Sequence, residues 1–348
     1  MSAAPGTEIT AAAERLVPGA AIEPVDGRSW LVSATTADGR FSVRQLDPSL
    51  PATRIELIHE FLAQPELRCA TPVVGTDHSG TAVFDARLWI DGTVLGSAIP
   101  SSEWHSLHLP ASVETDALGS VAESLGIFHR TGTSTSLTAR APHFKAKDTI
   151  AAVRRSLELN ERALATEIRK ESRARRWLTA SRPLLAQAES NLEQVGFLRD
   201  EPDVMAHLDL WGSHIVSGPE AGTAFLDCAT IGSAPAVVDL AQLLARNGAW
   251  SDDRVERVLN GYTAAIPFPP LQRRLLPWLT ALDAIASCGR LLVREQDERR
   301  PLSIPDRRAV QSAADRQLEL LQTLASTFVP PPPRHYRRPT GRKAASSR

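Results

Sequence analysis

The chain has little cysteine, few aromatic residues and almost no net charge. Its 348 residues include 3 cysteines, 2 methionines and 5% aromatic residues, and its formal net charge is −1. Three widely spaced cysteines form neither a metal-ligand pattern nor a disulfide framework, which favours a reducing compartment. A net charge this small gives no overall attraction to nucleic acid or to a membrane surface. We therefore expect a cytoplasmic protein with no nucleic-acid partner.

Long apolar runs are also lacking. The N-terminal segment MSAAPGTEIT has neither the basic start nor the apolar core of a signal peptide, so we expect no secretory leader. We also expect no membrane span, because no run of about 18 apolar residues is present. With 43% hydrophobic and 23% charged residues, the composition is that of a globular protein. The length allows one large domain or two lobes, each with a sizeable core.

The first part of the chain predicts a small β-rich lobe in the order β-β-α-β-β. The turn signal Asp38-Gly39 separates two strands, and Arg44 lies in the middle of the second, on the face opposite Phe41 and Val43. An apolar stripe at helical spacing predicts a helix directly after these strands. The expected strands of this order are 30–34, 41–46, 81–84 and 86–90, and the expected helix is 51–63. A further short strand is expected at 73–74, after Pro72.

The remaining sequence predicts a larger, mostly helical lobe, so the fold class is α+β. Apolar residues recur at helical spacing in most of it, and two short strands interrupt the helices. The expected helices are 118–128 (with His129 near the helix C-terminal dipole), 148–179, one after Pro183, 237–244, 252–262, 270–296 and 305–327, and the short strands are 215–216 and 224–226. The predicted divisions are an N-terminal segment 1–18, a β-rich lobe 19–95, a helical lobe 96–329 and a disordered Pro/Arg-rich tail 330–348.

The strongest chemical pattern lies between Val204 and Leu244. His207-x-Asp209 is followed, 18 residues after Asp209, by Asp227. Phosphoryl-transfer sites of the kinase type use a loop H-x-D-x-x-x-x-N and then an aspartate that binds magnesium. The two predicted short strands would form a hairpin that returns Asp227 to the side of Asp209. The pattern predicts Asp209 as the base for an acceptor hydroxyl and Asp227 as a Mg²⁺ ligand.

A cation on the nucleotide phosphates is the other part such a site needs. Arg44 is the candidate, and Glu60 or Glu56 on the adjacent helix would orient it. Each signal has an ordinary structural explanation as well, since H-x-D is short and an aspartate often ends a strand. Their joint order and spacing, behind a β-rich segment with a mid-strand cation, favour the functional interpretation.

Three segments resemble the aminoglycoside phosphotransferase and choline kinase-like family, whose members have a protein-kinase-like fold. The first is LGIFHR at Leu125–Arg130. The second is HLDLWGSHIV at His207–Val216. The third, FLDCATIGSAPAVVDLAQLL at Phe225–Leu244, agrees at several positions at once. The resemblance implies a bilobal fold and an ATP-dependent (or other NTP-dependent) transfer of a phosphoryl group to a small-molecule hydroxyl.

The resemblance also implies roles for individual residues. His207 would pack and hydrogen-bond to hold the catalytic loop, and Asp239 would tie that loop to the helix below. The nucleotide base would lie against the backbone of the hinge at Trp89 and Ile90. The acceptor would be an aminoglycoside-like antibiotic or another polar metabolite. Apart from the resemblance, Glu295, Asp297 and Glu298 are candidate acids for a cationic acceptor, and a solvated helix end explains them equally well.

Some positions depart from the family pattern. His214 stands where the second metal-ligand asparagine is expected, and a neutral imidazole is a poor Mg²⁺ ligand. Arg44 replaces a lysine, which is not a geometrically equivalent change. VDGRSW at Val25–Trp30 has a single glycine for a nucleotide loop. The alternative is therefore a catalytically impaired kinase-like protein that binds a nucleotide or a partner. His105 and His108 are expected to serve packing.

Overall fold

A five-stranded antiparallel sheet forms the N-terminal lobe of the computed structural model, which describes residues 6–25, 30–67, 69–79, 82–100, 106–133, 136–218, 222–247 and 250–330. The strands follow the order β1-β2-β3-β5-β4, and helix α2 connects β3 to β4. Their bounds are β1 Ala21–Pro24, β2 Leu31–Thr36, β3 Gly39–Gln45, α2 Ala52–Leu62, β4 Val73–Ser79 and β5 Ala82–Leu88.

The two faces of this sheet have different environments. Val43 is buried in an apolar cluster beneath the N-terminal helix α1, Thr7–Leu16, whose Ile9, Ala12 and Ala13 are also buried. Arg44, one residue on, points to the opposite face, towards the cleft between the lobes, as the alternation predicts. The buried side chains of α1 anchor this helix, which lies within the predicted N-terminal segment 1–18, to the sheet.

Strand β5 also differs from the prediction. Asp85 was expected to separate two strands, yet it lies inside one continuous strand and is directly opposite Arg44 of β3 in the ladder. A buried carboxylate normally disfavours a central strand, but here arginine side chains neutralise it. The strand therefore continues without a break.

The C-terminal lobe contains the remaining elements. Strand β10 lies between β11 and β6, and β9 pairs with β12. The bounds are β6 Thr93–Val94, β7 Ser97–Pro100, β8 Ser106–Leu109, α3 Thr115–Thr133, α4 Leu137–Arg140, α5 Ala146–Ala163, α6 Ala165–Ile168, α7 Arg173–Gln194, β9 Asp203–Ala206, β10 Ile215–Gly218, β11 Gly222–Phe225, β12 Gly232–Pro235, α8 Val237–Arg246, α9 Asp252–Ala265, α10 Pro270–Gln296 and α11 Ile304–Phe328.

Two helix predictions in this lobe are wrong. The single helix expected over 148–179 is broken, because Ser172 accepts a hydrogen bond from the Arg175 amide and so caps a new helix, α7. Pro183 lies inside α7 rather than before another helix. A proline removes one intrahelical hydrogen bond, and the buried face containing Trp177 and Leu184 keeps the helix intact across it.

Helix α10 is the central helix of this lobe. By length and composition it could cross a membrane, but 72% of its apolar stretch is buried inside the protein. It packs against α5, α7, α8 and α11. Its apolar character is therefore that of a core helix.

Candidate active site

One face of α8 holds the loop that contains Asp209. Asp239 and Gln242 are three residues apart and so lie on the same side of the helix. The Asp239 carboxylate accepts hydrogen bonds from the backbone amides of His207 at 2.6 Å and Leu208 at 2.8 Å. The Gln242 side chain donates to the Leu208 carbonyl at 3.1 Å. These contacts support the positive φ of 63° at Leu208, an unfavourable backbone conformation for leucine.

The Asp239 side chain is held in place by His129 and, through His129, by Tyr262. It is fully buried, and His129 Nε2 donates to it at 3.0 Å while His129 Nδ1 contacts the Tyr262 hydroxyl at 2.9 Å. Burial alone would raise the pKa of Asp239, but the hydrogen bond from His129 and the amides hold that pKa below its usual value. The predicted tie between Asp239 and the loop is confirmed. The interaction of His129 with a helix end is not, because α3 continues to Thr133.

His207 connects the loop to the hairpin that follows it. Its Nε2 donates to the Leu226 carbonyl at 2.8 Å, and its Nδ1 accepts from the Asp209 amide at 3.3 Å. The ring is fully buried and does not line the cleft. His207 therefore positions Asp209 and the neighbour of Asp227, as the expected loop-holding role requires.

Asp209 has an arginine partner that the sequence interpretation missed. Arg246, at the end of α8, donates from Nη1 to Asp209 Oδ1 at 2.8 Å. The same guanidinium pairs with Asp283 of α10 at 2.8–3.1 Å and lies 4.4 Å above the Trp211 ring. Burial opposes ionisation of Asp209, but Arg246 keeps its pKa below the usual value. The spacing i, i+3, i+7 of Asp239, Gln242 and Arg246 was the available signal.

His214 lies between the two candidate catalytic carboxylates. Its Nδ1 donates to the Asp209 carbonyl at 2.8 Å, and its Nε2 is 3.8 Å from Asp227 Oδ2. Nδ1 is also 3.5 Å from Asp209 Oδ2. The hairpin thus brings Asp209 and Asp227 to the same ring, as their spacing predicted.

Asp227 follows β11 in a left-handed backbone conformation, with φ 52°. Its side chain is half exposed, and Arg44 Nη1 is 3.6 Å from Oδ1. The enclosed position opposes ionisation, but His214 and Arg44 lower the pKa of Asp227. The carboxylate is therefore ionised at neutral pH.

Arg44 is oriented by a carboxylate on the neighbouring strand. Its guanidinium donates to Asp85 at 2.9 and 3.3 Å, and Arg87 donates to the same carboxylate at 2.7 Å. The prediction of Glu60 or Glu56 as the partner is wrong. Both side chains are exposed on α2, and Glu60 pairs with Arg140 at 2.6 Å.

Helix α2 instead presents a histidine to this cluster. His59 Nε2 is buried, has no hydrogen bond within the described part of the chain, and lies 3.8 Å from Asp85 Oδ2. The apolar residues Ile55 and Ile58 share the cleft-facing side of the helix. The carboxylate that orients Arg44 therefore lies on strand β5 and not on helix α2, where it was predicted.

The hinge at Trp89 and Ile90 does not line the cleft cavity. The Trp89 amide donates to the Arg40 carbonyl at 2.8 Å, and the Arg40 guanidinium stacks 3.9 Å from the Trp89 ring centroid. That amide is consequently not available to a nucleotide base. Residues 26–29 of the candidate nucleotide loop lie outside the described residues.

A cavity of about 410 Å³ opens between the lobes. Ligand pockets commonly have volumes of about 300–1,000 Å³. Asp209, Asp227 and Arg44 line it together with an apolar wall from the N-terminal lobe. That wall consists of Trp30, Leu46, Leu50, Ile55 and Ile58.

Further lining residues were not expected from the sequence. His108 on β8 contacts Ser213 Oγ at 2.8 Å and stacks on Trp211, so it belongs to the cavity wall as well as to packing. Burial and the nearby His214 lower the pKa of His108 to about 4. Ser287 and Arg290 line the cavity from α10. His105 lies outside the described residues.

The residues fit one magnesium ion held together with nucleotide phosphates. Mg²⁺ is commonly bound through one or two carboxylates plus phosphate oxygens, and Asp227 supplies a hard oxygen that faces the cavity. His214 Nε2 is not a ligand that Mg²⁺ prefers. Within the described ranges, no group of three or more His, Cys, Asp or Glu residues could hold a metal alone.

Similarity to known proteins identifies the family and the fold of the chain. A sequence model described as "Phosphotransferase enzyme family" matches residues 22–278, whereas no curated protein sequence matches the chain. The fold is similar to that of an aminoglycoside phosphotransferase from Alicyclobacillus acidocaldarius, with a TM-score of 0.62, 15% identity, and coverage of 94% of this chain and 97% of that one. Choline kinase LicA from Streptococcus pneumoniae gives a TM-score of 0.54, 14% identity, and coverage of 91% and 98%.

A third solved structure, an AMP-bound complex of a spectinomycin phosphotransferase, has a TM-score of 0.55 and 11% identity, and covers 89% of this chain and 93% of that one. At these identities the similarity concerns the fold. The predicted bilobal, protein-kinase-like α+β fold is thereby confirmed.

Proposed function

Since the chain belongs to the phosphotransferase enzyme family, we propose that it transfers the γ-phosphoryl group of ATP to a hydroxyl of a small polar molecule. The observation that supports this most is the placement of Asp209 and Asp227 on either side of His214, with both carboxylates facing one cavity. An aminoglycoside-like antibiotic or another polar metabolite would be the acceptor.

In this proposal Asp209 orients the acceptor hydroxyl and receives its proton. The loose transition state of phosphoryl transfer needs positioning more than a strong base, so a carboxylate of lowered pKa suits the role. Arg246 and His207 fix the position of Asp209 from two sides. Bound Mg²⁺ would neutralise charge on the β- and γ-phosphates and would be held by Asp227.

Arg44 would contact the transferred phosphate from the N-terminal lobe. Its guanidinium faces the cavity, and Asp85 holds it at the cleft-facing side of β3. A guanidinium can bind phosphate through two parallel hydrogen bonds. Structures with AMP and ADP in the spectinomycin phosphotransferases indicate that this fold accepts adenine nucleotides in those proteins.

Turnover and binding measurements test the proposal. ADP release should be followed with a panel of hydroxyl compounds for the wild type, for Asp209→Asn and for Asp253→Asn, an exposed control on α9. We expect Asp209→Asn to lower kcat by about 10²–10⁴-fold, the usual contribution of a general base, and the control to be unchanged. Equal activity in Asp209→Asn would contradict the proposed base.

Thermal shift tests the nucleotide and metal separately. ATP should raise Tm in the presence of Mg²⁺, and the Mg²⁺-dependent part of the shift should be lost in Asp227→Ala. No response to ATP under any condition would contradict nucleotide binding and with it the proposed function.

A second candidate function is that of a catalytically impaired protein that binds a nucleotide or a partner. The ion pair between Arg246 and Asp209 and the presence of His214 at the asparagine position favour it. His214→Asn separates the two candidates. A rise in kcat of much more than tenfold would support an impaired natural site; tenfold corresponds to a barrier lowered by about 1.4 kcal/mol. An unchanged or lower kcat would support the active enzyme.

A further inference from the structure

Arg290 is a cavity-facing arginine without a carboxylate partner. It extends from α10 into the cleft cavity, and its guanidinium carbon is 6.0 Å from the Trp211 ring centroid. Within the part of the chain that the structure describes, it forms no hydrogen bond and no ion pair within 4.0 Å. Arg44 and Arg87, in contrast, share Asp85, and Arg246 pairs with two carboxylates.

The carboxylates that interact electrostatically with Arg290 are both bonded to another arginine. Asp209 and Asp283 interact with its charge, but both are bonded to Arg246. Arg290 is exposed to the open cavity, but partial loss of hydration at the cavity wall lowers its pKa, and nearby Arg246 adds to that effect. Burial also opposes the charge of Arg246, yet Asp283 and Asp209 raise its pKa. Arg246 and Arg290 together balance the charges of Asp209 and Asp283, but only Arg246 bonds to them, so the Arg290 guanidinium keeps its hydrogen-bond donors free at the cavity close to the candidate base.

The three acids that the sequence suggested for a cationic acceptor do not line the cleft cavity. Glu295 bonds to Arg173 and Gln311, and it lines a separate depression between α7 and α10. Asp297 accepts from the Arg299 amide at the end of α10. None of Glu295, Asp297 and Glu298, the candidate acids for a cationic acceptor, lines the cleft cavity.

We propose that Arg290 binds an anionic group of the acceptor, so that the acceptor is a hydroxyl compound carrying a carboxylate or a phosphate. This inference rests on the proposed phosphotransferase function. A guanidinium matches both groups through paired, charge-assisted hydrogen bonds. Asp209 then receives the proton of a hydroxyl on the same molecule.

The first test asks whether an anion binds when the nucleotide site is full. Calorimetric titrations of inorganic phosphate and of D-glycerate are made into protein saturated with Mg²⁺ and a non-hydrolysable ATP analogue, which supplies its own γ-phosphate. We expect at least one of the two anions to bind the wild type. Arg290→Gln should weaken this binding about 10- to 100-fold, as expected for loss of a charged hydrogen-bonding partner. Arg274→Gln, an exposed arginine on the same helix, should change nothing.

Each other result has a definite meaning. Anion binding only in the absence of the ATP analogue would assign Arg290 to the nucleotide phosphates and overturn the inference. Absence of binding by both anions, or equal binding by Arg290→Gln, would also overturn it. Failure of the ATP analogue itself to bind would instead contradict the proposed function, so the two failures are distinguishable.

The second test sorts acceptors by charge. Turnover is compared among hydroxy acids, sugar phosphates, neutral sugars, choline and kanamycin. We expect the anionic compounds to be preferred, and Arg290→Gln to raise KM for an anionic acceptor about 10-fold or more while KM for ATP stays within about twofold. A preference for choline or kanamycin, or a selective rise in KM for ATP, would overturn the inference.

Discussion

The two walls of the cleft are organised by different interactions. On the C-terminal wall, the buried Asp239 receives two backbone amides and a histidine, so hydrogen bonds fix the path of the catalytic loop. On the N-terminal wall, the buried Asp85 receives two arginines, so ion pairs fix the cation that faces Asp227. Both carboxylates are fully buried.

The difference explains why the sequence pattern is clear on one wall and obscure on the other. The backbone amides of the catalytic loop have fixed directions, so the carboxylate that accepts from them must lie at one position. The number of residues between the loop and Asp239 is therefore recognisable in the sequence. A side-chain cation can receive its counter-charge from any neighbouring element. Here the counter-charge comes from β5, and α2 presents His59 instead of a glutamate.

The largest expected loss of stability follows Asp85→Asn. The variant keeps the shape of the side chain but leaves Arg87 buried without a counter-charge and Arg44 with only Asp227, 3.6 Å away. We expect the free energy of unfolding to fall by about 3–5 kcal/mol, measured by urea denaturation. The control is Asp77→Asn on the same sheet, whose partner Arg15 is half exposed and whose pair should contribute less than about 1 kcal/mol. Equal losses would contradict the importance of the Asp85 cluster.

The effect of Asp85 should also depend on pH. Burial would raise its pKa, but the two arginines hold the folded-state pKa well below the unfolded value of about 3.9. Its contribution is therefore present above about pH 4 and is lost as pH falls through the folded-state pKa. The stability difference between wild type and Asp85→Asn should shrink at acid pH.

A smaller loss is expected for Asp239→Asn on the opposite wall. The amide can still accept one backbone hydrogen bond but places an N–H group against another donor. We expect the free energy of unfolding to fall by about 1.5–3 kcal/mol, the cost of losing a charged acceptor. His129→Gln, which leaves both backbone amides bonded to Asp239, should cost less in the same urea denaturation. If it costs more, the histidine rather than the loop amides is the principal contact.

The most specific effect on activity, in addition to the loss of stability from unpairing Asp283, is expected for Arg246→Met. Loss of the guanidinium should raise the pKa of Asp209, so the acid limb of the kcat/KM profile should move to higher pH. The thioether can still pack on Trp211. Asp283→Asn, which leaves the contact between Arg246 and Asp209, is the control. An unmoved acid limb in Arg246→Met would exclude Arg246 as a positioning residue for Asp209.

Much of the architecture could be predicted because it depends on local periodicity. The apolar spacing gave α10 its observed bounds at 270–296, and the alternation in β3 placed Arg44 on the cleft face. Predictions failed where distant packing outweighed local signals. Pro183 stays helical because one face of α7 is buried, and Asp85 stays in a strand because arginines neutralise it.

The sequence by itself determined the order of His207, Asp209, Asp227 and Asp239, because a loop, a hairpin and a helix turn have short, fixed lengths. Only the tertiary structure decided which charged side chains lie close to Asp209. Arg246, Asp283 and Arg290 lie 37, 74 and 81 residues beyond Asp209 in the chain, yet all surround it because α8 and α10 pack side by side. Charge pairing depends on distance in space, so it remained undecided until the helices were placed.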